Sequence, residues 1–205
     1  MKKVKNKNSV ILVGLTGSIG MGKSETAHMF QSLGIPVFDS DAEVHRLMGP
    51  GGRAVPLVEK AFPGVSGETG IDRKELGRRV FGDDAALKKL EAILHPMVAR
   101  ERNLFIRRMR LQGHRIVVVD VPLLFETGGD RAVDYTVVVS APALIQKSRV
   151  MARPGMTEQR LQAILEKQMP DVEKRRRADF VVQSGLGKRH ARGQVSRIIR
   201  ILSNQ

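Results

Sequence analysis

A chain of 205 residues that is 41% hydrophobic can bury a core of its own, as one large domain or one domain with lobed insertions. It has no cysteine and no tryptophan, which excludes a disulfide framework and a thiolate metal site, and 4% aromatic residues leave few platforms for stacking single-stranded bases. Its net charge of +14 points to anionic partners: nucleotides, nucleic acid or phosphorylated metabolites.

Met1 to Ser9 is basic and polar. The apolar run after it, Val10 to Leu15, is too short for a signal sequence or a membrane span, so a soluble cytoplasmic protein is expected. Val10-Ile11-Leu12-Val13 reads as a strand buried on both faces. A Gly-rich turn opens a helix that stops at Leu33-Gly34, with Pro36 just beyond, and Ile35 to Phe38 makes a second strand. From Asp41 to about Arg110 the pattern is helical, broken at Gly49-Pro50-Gly51-Gly52 and Pro63-Gly64. Asp72-Arg73-Lys74-Glu75 has capping-box spacing, and His95-Pro96 is expected to separate two amphipathic helices.

Strand character returns at Ile116 to Asp120 and Tyr135 to Val139. Two helices, Pro142 to Ala152 and Thr157 to Met169, follow, joined at Arg153-Pro154-Gly155. A last strand at Phe180-Val181-Val182 precedes a helix with Val195, Ile198, Ile199 and Leu202 on one face. The basic runs Lys174 to Arg177 and Lys188 to Arg192 read first as solvated helix faces.

Gly17-Ser18-Ile19-Gly20-Met21-Gly22-Lys23-Ser24 matches G-x-x-x-x-G-K-[ST] between a predicted strand and a predicted helix. The glycines let the backbone curl with its N–H groups inward. Lys23 brings a cation to the terminal phosphates, Ser24 offers a hydroxyl to Mg²⁺, and the helix adds its positive end. A nucleoside triphosphate is therefore expected here. No Asn-Lys-x-Asp follows the loop, against a regulatory GTPase, and Asp120 is followed by Val121-Pro122, against a motor or helicase ATPase.

Asp39-Ser40-Asp41 closes the second strand, where the carboxyl edge of a parallel sheet faces a ligand crevice. If the strand extends that far, alternation puts both carboxylates on one side. One would accept or orient a hydroxyl proton and the other hold Mg²⁺ through water; Asp41 has the alternative of capping a helix that starts at Ala42. Asp120 reads either as support for Mg²⁺ or as a buried structural acid.

The P-loop, Phe38-Asp39-Ser40-Asp41, Leu94-His95-Pro96, Val121-Pro122-Leu123-Leu124-Phe125-Glu126 and Ala178-Asp179-Phe180-Val181-Val182, in this order, resemble the dephospho-CoA kinase family. The resemblance covers the chain from Val10 onward. It implies an α/β P-loop kinase with a parallel five-stranded sheet flanked by helices, a helical substrate insertion and a helical lid. The expected divisions are 9–40 with 112–141 and 177–205 as nucleotide core, 41–111 as substrate domain and 142–176 as lid.

The implied reaction moves the ATP γ-phosphate to the ribose 3′-hydroxyl of dephospho-CoA, with Mg²⁺ as cofactor. Asp41 corresponds to the general base, and Asp39 to a group for Mg²⁺ or hydroxyl orientation. Lys23 and Arg149 serve catalysis, while Gly17, Ile19, Gly20, Met21, Gly22, Lys23, Ser24 and Arg153 bind ATP. Ser24 takes the metal, with Asp39 or Asp120 contributing through water. His95 shapes the acceptor site, and Glu126 braces a loop. Met21 stands where relatives commonly carry small residues, and Gln183-Ser184-Gly185 stands where many have an Asn near the adenine. The expected partners are ATP and dephospho-CoA, with no specific nucleic acid and no membrane, for a monomer with an oligomer as the alternative. Open alternatives are another small acceptor on the same fold, or an ATPase drawn to nucleic acid by charge.

Overall fold

The computed structural model describes residues 10–204, which fall into two compact units, one of residues up to Phe38 and from Arg108 onward, the other Asp39–Arg107. Met1 to Ser9, read above as basic and polar, lies outside the described residues.

The first unit is built on a five-stranded sheet. Its strands are β1 (Ile11–Thr16), β2 (Val37–Asp39), β5 (Ile116–Asp120), β6 (Tyr135–Ser140) and β7 (Phe180–Gln183), in the order β2-β5-β1-β6-β7. β1 runs parallel to both β5 and β6, with Ile11 opposite Ile116 and Val13 opposite Tyr135. The continuous apolar runs follow from burial on both faces. Val13, Leu15, Val118, Val137 and Val139 point into one core with Phe30 of α1 (Lys23–Ser32) and Val195, Ile198 and Leu202 of α9 (Lys188–Ser203). Gly14 points the other way, against Leu124, whose Cδ2 lies 2.7 Å from where a Cβ would stand. α9 thus buries the face predicted from its spacing of three and four residues.

Between β6 and β7 run α6 (Ala143–Met151), α7 (Glu158–Glu166) and α8 (Asp171–Arg177). The third of these carries the basic run Lys174 to Arg177, read above as a solvated helix face. Arg175, Arg176 and Arg177 are exposed as a solvated face should be, but Lys174 is fully buried.

The second unit contains α2 (Ser40–Met48), α3 (Val55–Ala61), a two-stranded hairpin of β3 (Ser66–Gly67) and β4 (Gly70–Ile71), α4 (Arg73–Val80) and most of α5 (Asp84–Leu111). Leu47, Val58, Phe62, Val65, Leu76, Leu90 and Leu94 form its own core. Asp72 caps α4 as predicted, accepting from the N–H groups of Lys74 and Glu75. The reciprocal half of the box is absent: the Asp72 N–H donates to Val65 O, and Glu75 pairs with Arg78 and Arg79.

His95-Pro96 does not divide the helical stretch. α5 runs through Pro96 for 28 residues. An internal proline removes one helix hydrogen bond and crowds the preceding turn, a cost of about 3 kcal/mol. Burial of Leu90 and Leu94, with Ile93, Met97 and Val98 packed beside them, offsets it at roughly 1.5–3 kcal/mol for each fully buried side chain. No described helix is long and apolar enough to cross a membrane.

Candidate active site

Residues 17–24 connect the end of β1 to the start of α1. Gly20 and Gly22 adopt φ of 76° and 89°, a region that side chains with a Cβ rarely enter. Gly17 has a different reason to be glycine: a Cβ there would stand 2.7 Å from the backbone oxygen of Val139. Gly17→Ala is expected to lose about 2 kcal/mol of stability through this overpacking, read as a lowered melting temperature together with weaker ATP binding.

Gly22 is the N-cap of α1 and supplies no side-chain hydrogen bond. The first turn of the helix is therefore left to an anionic ligand, with its dipole favouring negative charge. Lys23 and Ser24 open that turn; Ser24 is exposed, and Lys23 Nζ reaches Asp120 Oδ1 at 2.6 Å. Asp120 is 3% exposed at the end of β5. It thus holds the P-loop cation at the carboxyl edge of the sheet, which joins two of the sequence-predicted residues.

The loop crest is held by side chains from far along the chain, of which Gln146 and Gln168 were not singled out in the sequence. Gln146 of α6 donates to Ile19 O at 2.9 Å, and the Ile19 N–H donates to Gln168 Oε1 at 3.1 Å. Ser184, just after β7, donates its hydroxyl to Met21 O. Arg149 donates to Ser184 Oγ and Ser184 O, each at 2.9 Å, and more weakly to Gly20 O at 3.4 Å. Arg149 is thereby placed against the P-loop. Arg153 is exposed in the turn after α6, and among the described residues no hydrogen bond or ion pair ties its side chain to the loop.

Met21, where relatives commonly carry small residues, contributes a large buried side chain. Its side chain is 3% exposed and its sulfur accepts from the Ala141 N–H at 3.1 Å, so it fills the space beneath the loop. Gln183-Ser184-Gly185 also takes a definite role through Ser184, which links Arg149 to the loop.

In the second unit Asp39, not Asp41, caps α2: its Oδ1 accepts from the Ala42 N–H at 2.9 Å. β2 ends at Asp39, so strand alternation does not relate the two carboxylates. Asp41 lies exposed in the first turn of α2, and His95 is exposed on α5. Among the described residues no three His, Cys, Asp or Glu side chains gather as a metal cluster. Within the first unit Ser24 and Asp120 offer oxygen donors of the kind a hard cation takes when waters and phosphate oxygens complete its ligands.

A family model described as dephospho-CoA kinase matches residues 11–187. A dephospho-CoA kinase of Mesorhizobium japonicum is 57% identical, over 96% of this chain and 98% of its own length. Among solved structures, TT1252 from Thermus thermophilus superposes with a TM-score of 0.82 at 34% identity, covering 94% of this chain and 97% of the other. The dephospho-CoA kinase of Campylobacter jejuni shares the fold at a TM-score of 0.64 and 24% identity, covering 95% and 98%.

Proposed function

The chain belongs to the dephospho-CoA kinase family, and from that premise we propose how its residues divide the work. The enzyme moves the ATP γ-phosphate to the ribose 3′-hydroxyl of dephospho-CoA, in the last step of coenzyme A biosynthesis.

The open N-terminus of α1, with Lys23 beside it, carries the donor half of the proposal. In it the P-loop amides bind the phosphates and Lys23 turns from Asp120 to the terminal phosphoryl group. Arg149 adds a second cation, anchored by Ser184, and Arg153 a third. A loose, charge-spreading transition state is stabilised by such cations more than by covalent chemistry. Ser24 would hold Mg²⁺, with Asp120 or Asp39 reaching it through water. When bound, the ion would neutralise charge on the transferring group.

On the acceptor side Asp41 takes the proton of the 3′-hydroxyl. An exposed carboxylate in the first turn of a helix is accessible to a substrate hydroxyl, as a base must be. Asp39 has one oxygen committed to Ala42 N–H, which favours an orienting role over a basic one. His95 contributes to the acceptor site. We assign 41–111 to the acceptor, 142–176 to the lid and the remaining segments to the nucleotide core. We also propose a monomer acting in the cytoplasm, where ATP is plentiful, with no specific nucleic-acid partner.

The test is a coupled assay of ADP release. Release is expected to depend on dephospho-CoA and on Mg²⁺, with the product phosphorylated at the 3′ position. ADP release that proceeded equally with shikimate or a nucleoside in place of dephospho-CoA would overturn the acceptor assignment.

A further inference from the structure

The bond from Ile19 to Gln168 joins the P-loop to a part of the lid that none of the roles above uses. Gln168 lies in the short turn between α7 and α8. That turn is itself fixed: the N–H of the next residue, Met169, donates to Glu126 Oε1 at 2.8 Å. The same oxygen lies 2.9 Å from Nζ of Lys174, whose side chain is 0% exposed. A fully buried ammonium is rare without a partner, and breaking such a pair leaves a charge stranded in the interior. Burial pushes the Glu126 carboxyl up, but the Lys174 ammonium and the Met169 N–H more than reverse this and hold it below its usual range. Glu126 therefore stays ionised at neutral pH.

One turn before Lys174, Asp171 Oδ2 accepts the hydroxyl of Ser140 at the end of β6 at 2.8 Å. α8 is thus tied to the sheet edge at its first residue and to the loop after β5 at its fourth. The backbone leading into it has little freedom, so Gln168 is delivered to one place.

The loop it meets needs such support. Gly20 and Gly22 flank the crest in left-handed conformations, and glycines keep more backbone freedom than any other residue. A phosphate cradle that must first be ordered binds more weakly than one ordered beforehand. We propose that Gln168 is a positioning residue that holds the P-loop crest ready for the triphosphate, and that the buried Lys174–Glu126 pair aims it. This rests on the reading that residues 17–24 hold ATP.

The experiment uses the full chain with Mg²⁺ and compares wild type, Gln168→Leu, Lys174→Met and the double variant. ADP affinity is measured by calorimetry, and steady-state constants by ADP release. Loss of one hydrogen bond predicts that Gln168→Leu weakens ADP about fivefold. KM for ATP should rise in step, while kcat and KM for dephospho-CoA stay within about twofold. Lys174→Met should lower the melting temperature and weaken ADP at least as much. The double variant should bind ADP no more weakly than Lys174→Met alone, because both changes cut one path.

Wild-type ADP affinity in Gln168→Leu would overturn the proposal, and so would losses that add in the double variant. Lys174→Met that melts lower yet binds ADP normally would reduce the ion pair to a purely structural role. If Lys174→Met does not fold, Lys174→Gln replaces it, and Gln168→Leu remains decisive for the strap. ADP binding is read without an acceptor, so a wild type inactive toward dephospho-CoA would count against the acceptor alone. A wild type that bound no ADP would overturn the nucleotide reading and this proposal with it.

Discussion

Lys23→Met should lower kcat/KM by about a thousandfold, the loss typical of removing one preorganised charge from a developing transition state. Methionine keeps most of the stem and removes only the charged end. The change has a second consequence, because Lys23 Nζ stands 2.6 Å from a carboxylate that is nearly sealed from water. Taking away a charged partner at that distance costs about 2 kcal/mol of stability. Activity and stability should therefore fall together in Lys23→Met. They should separate in Lys23→Met with Asp120→Asn, where the second change removes the buried charge. A melting temperature restored toward wild type, with activity still lost, is the expected result. Recovery of activity along with stability would show that Lys23 serves the fold rather than the phosphates.

Asp41→Asn should lower kcat by about a thousandfold, within the range for loss of a general base, and leave the melting temperature unchanged. The side chain is exposed, so the amide introduces no burial penalty. Asp39→Ala should behave in the opposite way. It removes the cap of α2 and costs about 1 kcal/mol, with a smaller effect on turnover. Thermal melts and single-turnover phosphoryl transfer on both variants separate a cap from a base. Turnover of Asp41→Asn within a few-fold of wild type would remove Asp41 from the base role.

The contrast between these two carboxylates shows where sequence reading reaches its limit. Both were visible as an acidic pair after a short strand, but assigning the cap depended on where that strand stops. β2 ends at Asp39 and α2 starts at Ser40, two residues earlier than the spacing suggested. The P-loop was legible because its chemistry is local: glycine conformations, a lysine and a helix start lie within eight residues. The buried strands were legible because burial on both faces leaves uninterrupted Val, Ile and Leu.

Other features depend on partners far along the chain. Lys174 looked like one member of a basic run, and Glu126, 48 positions away, makes its burial tolerable. Gln168 reaches a peptide 149 positions distant. A polar residue in a helical stretch carries no mark that distinguishes such a strap from a solvated side chain. Pro96 misled for a related reason: the local rule against helix continuation is sound, but the packing of Leu90 and Leu94 in a core outweighs it. The hairpin of β3 and β4, with two residues in each strand, is too short for periodicity to show.

The order in which the chain leaves the ribosome has a bearing on the phosphate loop. β1 finds its neighbours only at β5 and β6, more than a hundred residues later. Residues 39–107 have their own core and can collapse while the first strand is still waiting. At synthesis rates of about 5–20 residues per second, Ile11 to Thr16 stays unpaired for several seconds. That apolar edge is exposed to mispairing for as long as β5 is delayed. Slow translation between β4 and β5 should therefore lower the soluble yield even though it alters no residue of the finished enzyme.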